Sequence, residues 1–173
     1  TISWMNDLLY KEPVKRVIEA LSKFNKNLKI QILEKTARTA KEAAIALNCK
    51  EGAIVKSLVF RSGENFLVCL VSGDKKCSLN KVKKLVFQKD VAMANAEDVK
   101  AQTGFTIGCV SPVGHLKELD VLIDKNLNRF DQVYAAAGHP NSIFKIDFSM
   151  LSNLTKGRIE DITEWDHQIL PII

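Results

Sequence analysis

Lys56 is the residue whose type and position most suggest chemistry. It interrupts the run from Ala53 to Phe60, whose β-branched and apolar residues predict a strand. Burying an ammonium group without a partner is costly. Lys56 therefore either lies on a solvated face of the strand or points into a pocket, where it would meet an anion or a polarised carbonyl. The residues alone leave both interpretations open.

A second candidate is the glycine-rich segment 103–115. Its glycines and proline are Gly104, Gly108, Pro112 and Gly114. This density predicts a structured loop whose backbone N–H groups can hold a carbonyl oxygen, a carboxylate or a sugar hydroxyl. The alternative is a plain structural turn. The turn at 137–141 either serves the same pocket or only joins two strands.

A third candidate is a stretch rich in lysine and free of acids, from Lys75 to Lys89. Its predicted helix keeps the apolar residues Val82, Leu85 and Val86 inward, so most of the lysines face water. The stretch is either a solvated face or a contact surface for the phosphate backbone of a nucleic acid.

Other familiar chemistries find little support. The histidines His115, His139 and His167 have no partner four residues away, which argues against a zinc site. No G-x-S-x-G motif is present, and a triad of Ser111, His115 and Asp124 is one that many globular chains could assemble. The sequence also lacks the glycine motifs of nucleotide-triphosphate and dinucleotide sites.

The composition indicates a folded globular protein. The chain has 173 residues, of which 46% are hydrophobic and 26% charged, and its net charge is +5. These values exclude a disordered chain and a collagen-like repeat. Its apolar runs are strand-sized, residues 1–10 lack a secretory pattern, and the four cysteines form no C-x-x-C pair. We therefore expect a cytoplasmic protein with reduced thiols, in which Cys69 is a core residue.

Alternating strand and helix patterns predict an α/β fold with a mixed sheet that is closed or strongly curved. The predicted strands are 28–33, 53–60, 65–71, 91–94, 120–123, 132–136 and 142–146, with a hairpin turn at 61–64. The predicted helices are 11–26, 39–48, 79–87, 97–103 and 148–154, with a turn or short helix at 124–127. Thr39 and Glu42 form a capping-box pattern at the second helix.

Taken in order, these segments resemble the YbaK family of aminoacyl-tRNA editing domains. The family includes the insertion domain of bacterial prolyl-tRNA synthetases and its free-standing relatives. The matching segments are 36–39, 54–60, 103–114, 121–124 and 135–141. The resemblance covers roughly 31–163.

The resemblance implies a single α/β domain over 1–173, with a mixed, barrel-like sheet and surrounding helices. Helix 11–26 and the apolar tail 169–173 are expected to pack on its core. The resemblance also implies hydrolysis of the ester that joins a wrong amino acid to tRNA, without a metal, a cofactor or a covalent intermediate. The implied partners are the tRNA acceptor end and, as a second candidate, prolyl-tRNA synthetase, with no role for a membrane or DNA.

The same resemblance assigns roles to individual residues. Lys56 matches the lysine on which such domains depend, and Gly108 and Ser111 are the other catalytic candidates. The substrate-binding candidates are Thr36, Phe60, Gly104, Ile107, Pro112, Gly114, His115, Asp124, Gly138, His139 and Pro140. The lysine-rich stretch, independently of the resemblance, supplies the tRNA-binding candidates Lys75, Lys76, Lys81, Lys83 and Lys84.

The turn Ala137-Gly138-His139-Pro140 departs from the Cys-specific members and looks more like free-standing prolyl-type proteins that clear small residues. The expected substrate is therefore tRNA(Pro) carrying alanine, serine, threonine or cysteine. Two alternatives stay open: a catalytically inactive module of the same fold that binds tRNA or a synthetase, and a hydrolase of another small acyl ester.

Overall fold

A computed structural model describes residues 3–164; His167 and the tail 169–173 lie outside this range. The helices are α1 (Ser3–Leu8), α2 (Glu12–Phe24), α3 (Ala40–Leu47), α4 (Leu79–Val86), α5 (Ala96–Thr103) and α6 (Phe148–Thr155). The strands are β1 (Ile30–Ile32), β2 (Ile54–Ser62), β3 (Asn65–Ser72), β4 (Lys76–Cys77), β5 (Val91–Met93), β6 (Asp120–Asp124), β7 (Val133–Ala136), β8 (Ser142–Ile146), β9 (Arg158–Glu160) and β10 (Thr163–Glu164). Short 3₁₀ turns cover Glu51–Ala53 and Lys125–Arg129.

The large sheet contains eight strands and is mixed, which confirms the predicted fold class. Its order is β1-β8-β7-β2-β3-β6-β9, and β5 pairs with the end of β2. Strands β2 and β3 form an antiparallel hairpin, whereas β2–β7, β3–β6 and β6–β9 are parallel pairs. The hairpin turn is tighter than the predicted 61–64, because Ser62 pairs with Asn65 and only two residues remain between them.

Strand β2 lies near the middle of the sheet and buries side chains on both faces. Val55 and Val59 belong to the main core cluster, which α2 completes with Val17 and Leu21. Phe60, on the other face, packs in a second cluster. The predicted N-terminal helix therefore contributes directly to the core, because its apolar residues follow the helical period.

One edge of β2 is incompletely covered. Strand β7 pairs only with Ile54 and Val55, and β5 pairs only with the segment from Phe60 to Ser62. One further hydrogen bond follows the β5 pairing, because the Ala94 N–H donates to the Val59 carbonyl at 3.0 Å. Among the described residues, the stretch 56–58 thus has no strand neighbour on this side, and the sheet leaves an opening there.

Local signals in the sequence explain the helix that borders this opening. The Thr39 side chain accepts a hydrogen bond from the Glu42 N–H at 3.1 Å, so the predicted N-cap is confirmed. The helix ends at Asn48 in a left-handed conformation. None of the helices within 3–164 combines the length and the apolar character needed to cross a bilayer.

Candidate active site

A pocket of about 360 Å³ lies at the opening beside β2. Its wall includes residues 37–40 at the start of α3, residues 54–59 of β2, and residues 134–136 of β7. Its outer rim is formed by Met93, Ile107 and Gly108, all exposed. Its interior is mostly apolar, so it suits a small uncharged group with a few polar contacts.

Lys56 lines this pocket, as the functional interpretation of the sequence required. The side chain is half-buried, and its Nζ donates a hydrogen bond to the backbone carbonyl of Lys75 at 2.5 Å. This bond fixes the position of the ammonium group. Lys56 is therefore a cationic residue in the lining of a largely apolar cavity, where a charge acts more strongly than in water.

Ser57 is a pocket residue that the sequence motifs do not predict. Its Oγ is buried and has no hydrogen-bond partner among the described residues. Buried hydroxyl groups are usually paired, so this one is an exception that needs a reason. The only signal in the sequence is its place between Val55 and Val59, which share its side of the strand.

Of the predicted site residues in the glycine-rich segment, two line the pocket: Ile107 and Gly108. Gly108 has φ +88°, and its nearest contact for an added Cβ would be the Arg38 carbonyl oxygen at 3.6 Å. Glycine is thus needed there for the backbone conformation rather than for space. Ile107 stands beside it on the rim.

The remaining predicted residues of this segment lie behind the rim and support the loop. Ser111 is fully buried; its Oγ accepts the Val113 N–H at 3.2 Å, and its carbonyl contacts His115 Nε2 at 2.7 Å. Burial holds the pKa of His115 below its usual value, which favours the neutral ring. The structure does not bring Ser111 or His115 to the pocket wall.

Helix α2 fixes this segment from outside. Arg16 donates through Nε to the Gly114 carbonyl at 2.9 Å and through Nη2 to the Thr103 carbonyl at 3.3 Å. Its guanidinium also lies 4.8 Å from the centre of the Phe105 ring. Gly104, Pro112 and Gly114 belong to this support rather than to the pocket lining.

The turn at 137–141 does contribute to the pocket, through His139. The His139 Nδ1 accepts the Asn141 N–H at 3.0 Å, so the neutral ring carries its proton on Nε2. Burial, with smaller contributions from the charges of Lys11 and Arg38, lowers the pKa of His139. At neutral pH His139 is therefore an uncharged hydrogen-bond donor.

Gly138 and Pro140 position this turn. Gly138 has φ +89°, and a Cβ there would come within 3.0 Å of the Pro13 carbonyl carbon. The Pro140 carbonyl accepts the Ala37 N–H at 2.8 Å, which ties the turn to the segment that enters α3. Neither residue lines the pocket, but both flank His139, which does, and Pro140 also holds the pocket residue Ala37.

Three other predicted substrate-binding residues lie elsewhere. The fully buried Asp124 carboxylate accepts the Ser72 N–H at 3.0 Å and the Asn126 N–H at 2.9 Å, a structural role at the end of β6. Phe60 is buried in the second core cluster, and Thr36 is exposed. None of the three is part of the pocket wall.

The structure divides the lysine-rich stretch into two parts. Lys81 contacts Asp161 at 3.0 Å and the Thr163 carbonyl at 2.7 Å, and Lys76 lies 3.9 Å from Glu164. Lys83 and Lys84 occupy the last turn of α4, and neither forms an ion pair with the described residues. The acids that engage the first part come from β10 and the segment before it.

With this geometry established, comparison with known proteins places the chain in a family. The chain belongs to the aminoacyl-tRNA editing domain family, whose model matches residues 34–153.

Similar proteins extend over most of the chain. It is 29% identical over 156 residues to the uncharacterized protein YwhH of Bacillus subtilis, which covers 88% of this chain and 99% of YwhH. It is 25% identical over 126 residues to EbsC of Enterococcus faecalis, a candidate Cys-tRNA(Pro)/Cys-tRNA(Cys) deacylase, covering 72% of this chain and 77% of EbsC. Several bacterial proline–tRNA ligases match over only 14% to 24% of their own length.

A solved structure supports the same family. The crystal structure of a candidate trans-editing enzyme for prolyl-tRNA synthetase has a TM-score of 0.84 and 37% identity. The match covers 89% of this chain and 98% of that one. The resemblance found in the sequence motifs is thereby confirmed.

Proposed function

We propose that this protein is a trans-acting deacylase that hydrolyses tRNA(Pro) carrying a small non-cognate amino acid, of the alanine, serine, threonine or cysteine type. The observation that carries the proposal is the convergence of Lys56 and Gly108 on one apolar pocket in a chain of the editing-domain family. The names of EbsC and of the trans-editing structure support the link to prolyl-tRNA.

The pocket supports a small acyl group as the part of the substrate that enters. Its volume of about 360 Å³ lies at the lower end of the range for ligand sites. Such a cavity admits an amino acid and the adjoining part of the terminal ribose, and it leaves the rest of the tRNA outside. The buried interior at Ala43, Val99 and Val110 favours an uncharged side chain.

The reaction proposed is the attack of water on the ester carbonyl. The water oxygen forms a bond to the carbonyl carbon, the bond from that carbon to the ribose oxygen breaks, and a proton from the water passes to the departing ribose oxygen. Lys56 would offset the negative charge that develops on the carbonyl oxygen. Backbone N–H groups near Gly108 and the Nε2–H of His139 would orient the ester.

A deacylation assay tests this proposal. Amino acid release is measured from Ala-, Ser-, Thr- and Cys-tRNA(Pro) with the wild type, with Lys56→Met and with Lys145→Met. Lys145 is a matched control, because it is an exposed lysine within a strand that does not line the pocket. Loss of one charge that stabilises the transition state is expected to lower kcat by about 10²–10³-fold, whereas the control keeps wild-type rates.

The outcomes separate the proposal from its rivals. Release from none of the four substrates, or undiminished release by Lys56→Met, contradicts it. Binding of uncharged tRNA without any turnover identifies an inactive tRNA-binding module. Turnover of simple acyl esters without tRNA identifies a different hydrolase. Wild-type rates that persist in excess EDTA support the metal-independent mechanism, and their loss contradicts it.

A further inference from the structure

Phe87 is the most conspicuous exposed apolar residue among those the structure describes. It directly follows helix α4, and 95% of its surface is accessible to solvent. A single exposed apolar side chain is common and by itself shows nothing. Its conformation and its neighbours are what make this one different.

The backbone of Phe87 is in a conformation that its side chain disfavours. Phe87 is the C-cap of α4 with φ +54° and ψ +42°, and its N–H donates to the Lys83 carbonyl. Glycine or asparagine normally fills such a left-handed position, as Asn48 does after α3 and Gly104 after α5. A bulky aromatic ring is thus held in water at a site where its presence lowers stability.

The surroundings of Phe87 are positively charged. Lys83 and Lys84 lie in the last turn of α4, four and three residues before it. Lys89 follows it and is exposed. The nearest acid in sequence, Asp90, is held by Arg61, with an Nη1–Oδ2 distance of 2.8 Å.

Phe87 is also connected to the rim of the pocket. The chain continues from it into β5, whose last residue, Met93, is 55% exposed and lines the pocket. Met93 lies six positions after Phe87 in the chain, so their Cα atoms are within about 20 Å of each other. A single-stranded nucleic acid whose end enters the pocket could therefore pass over Phe87.

We propose that Phe87 is a stacking platform for an unpaired base of the tRNA acceptor end, with Lys83, Lys84 and Lys89 contacting the adjacent phosphates. The proposal rests on the proposed deacylase function. Aromatic side chains among basic residues are the usual means of binding single-stranded nucleic acid, because every base offers a face for stacking. An acidic or apolar protein partner would not need the same exposed ring and phosphate-binding lysines together.

The test compares Phe87→Asn, which removes the ring and suits the left-handed backbone, with Phe87→Tyr, which keeps a stacking ring. Each is assayed on mischarged tRNA(Pro) and on the corresponding 3′-aminoacyl-adenosine, which lacks the other nucleotides. We expect Phe87→Asn to lower kcat/KM on the tRNA about tenfold and to leave the short substrate unchanged. Phe87→Tyr should stay near the wild type on both, and the Tm of Phe87→Asn should equal or exceed that of the wild type.

Binding of uncharged tRNA provides a readout that does not need turnover. The Kd should rise about tenfold for Phe87→Asn, with an unchanged dependence on salt, whereas Lys84→Gln should reduce that dependence by about one phosphate contact. Unchanged affinity for tRNA, or equal losses on both substrates, would overturn the proposal. A wild type that binds tRNA through Phe87 but hydrolyses nothing would refute the deacylase function and leave the stacking role intact.

Discussion

The unpaired hydroxyl of Ser57 yields a stability prediction whose sign is unusual. Its Oγ is buried without a hydrogen-bond partner in the described part of the chain. Leaving a buried hydroxyl unpaired costs about 1–3 kcal/mol. Ser57→Ala removes that group and one oxygen's volume, so the free energy of unfolding should stay the same or rise by about 1 kcal/mol. In a protein of this size, that gain corresponds to an increase in Tm of about 2–4 °C.

Ser142 provides the matched control, because it is a buried serine of the same pocket whose hydroxyl is paired. Its Oγ donates to the Ala137 carbonyl at 3.0 Å. Ser142→Ala leaves the buried Ala137 carbonyl oxygen without this bond and should lower the free energy of unfolding by about 1–3 kcal/mol. Thermal unfolding followed by calorimetry or circular dichroism measures both variants. If Ser57→Ala loses as much stability as Ser142→Ala, the Ser57 hydroxyl is not an unpaired, destabilising group.

The same variant tests whether the substrate supplies the missing partner. If the Ser57 hydroxyl meets a polar atom of the bound aminoacyl ester, then Ser57→Ala should lower kcat/KM by about two- to tenfold, the value of one neutral hydrogen bond. An active variant with raised stability and undiminished kcat/KM would show that the hydroxyl serves no substrate.

Two further predictions follow from the turn and the histidines. Gly138→Ala combines a left-handed φ of +89° with a close approach to Pro13, so it should lower the free energy of unfolding by about 1–3 kcal/mol; a Tm equal to that of the wild type would contradict this. The pKa values of His115 and His139 both lie below their ordinary 6.5 when folded, so the unfolded chain binds more protons as the pH falls. The contribution of these two histidines to stability should therefore be constant above about pH 7.5, and stability against urea should decrease as the pH drops through 6.5 towards the lower folded-state values; unchanged or greater stability at pH 5.5 would contradict this prediction.

The fold could be predicted because its signals are local. The capping pair of Thr39 and Glu42 marks α3, and the apolar period of Val14, Val17 and Leu21 marks the buried face of α2. Very short elements such as β4 and β10 could not be found this way. Each has two residues and exists only because it pairs with the other, far along the chain.

The site could be predicted only in part. Lys56 stood out because a charge within an apolar strand is rare enough to be informative. The glycine-rich segment did not show which of its residues face the pocket, since that depends on Arg16, which anchors it from another helix. Likewise, no local signal distinguishes Lys81 from Lys84, because Lys81 is paired with Asp161, which lies 80 positions further along the chain.

We propose that the pocket removes a small wrong amino acid from tRNA(Pro). The most direct measurement is the rate of amino acid release from Ala-, Ser-, Thr- and Cys-tRNA(Pro), each compared with correctly charged Pro-tRNA(Pro). We expect at least one non-cognate substrate to be hydrolysed more than about tenfold faster than Pro-tRNA(Pro), a difference of about 1.4 kcal/mol in transition-state stabilisation. Equal rates on all five substrates, or no release above the spontaneous rate from any of them, would contradict it.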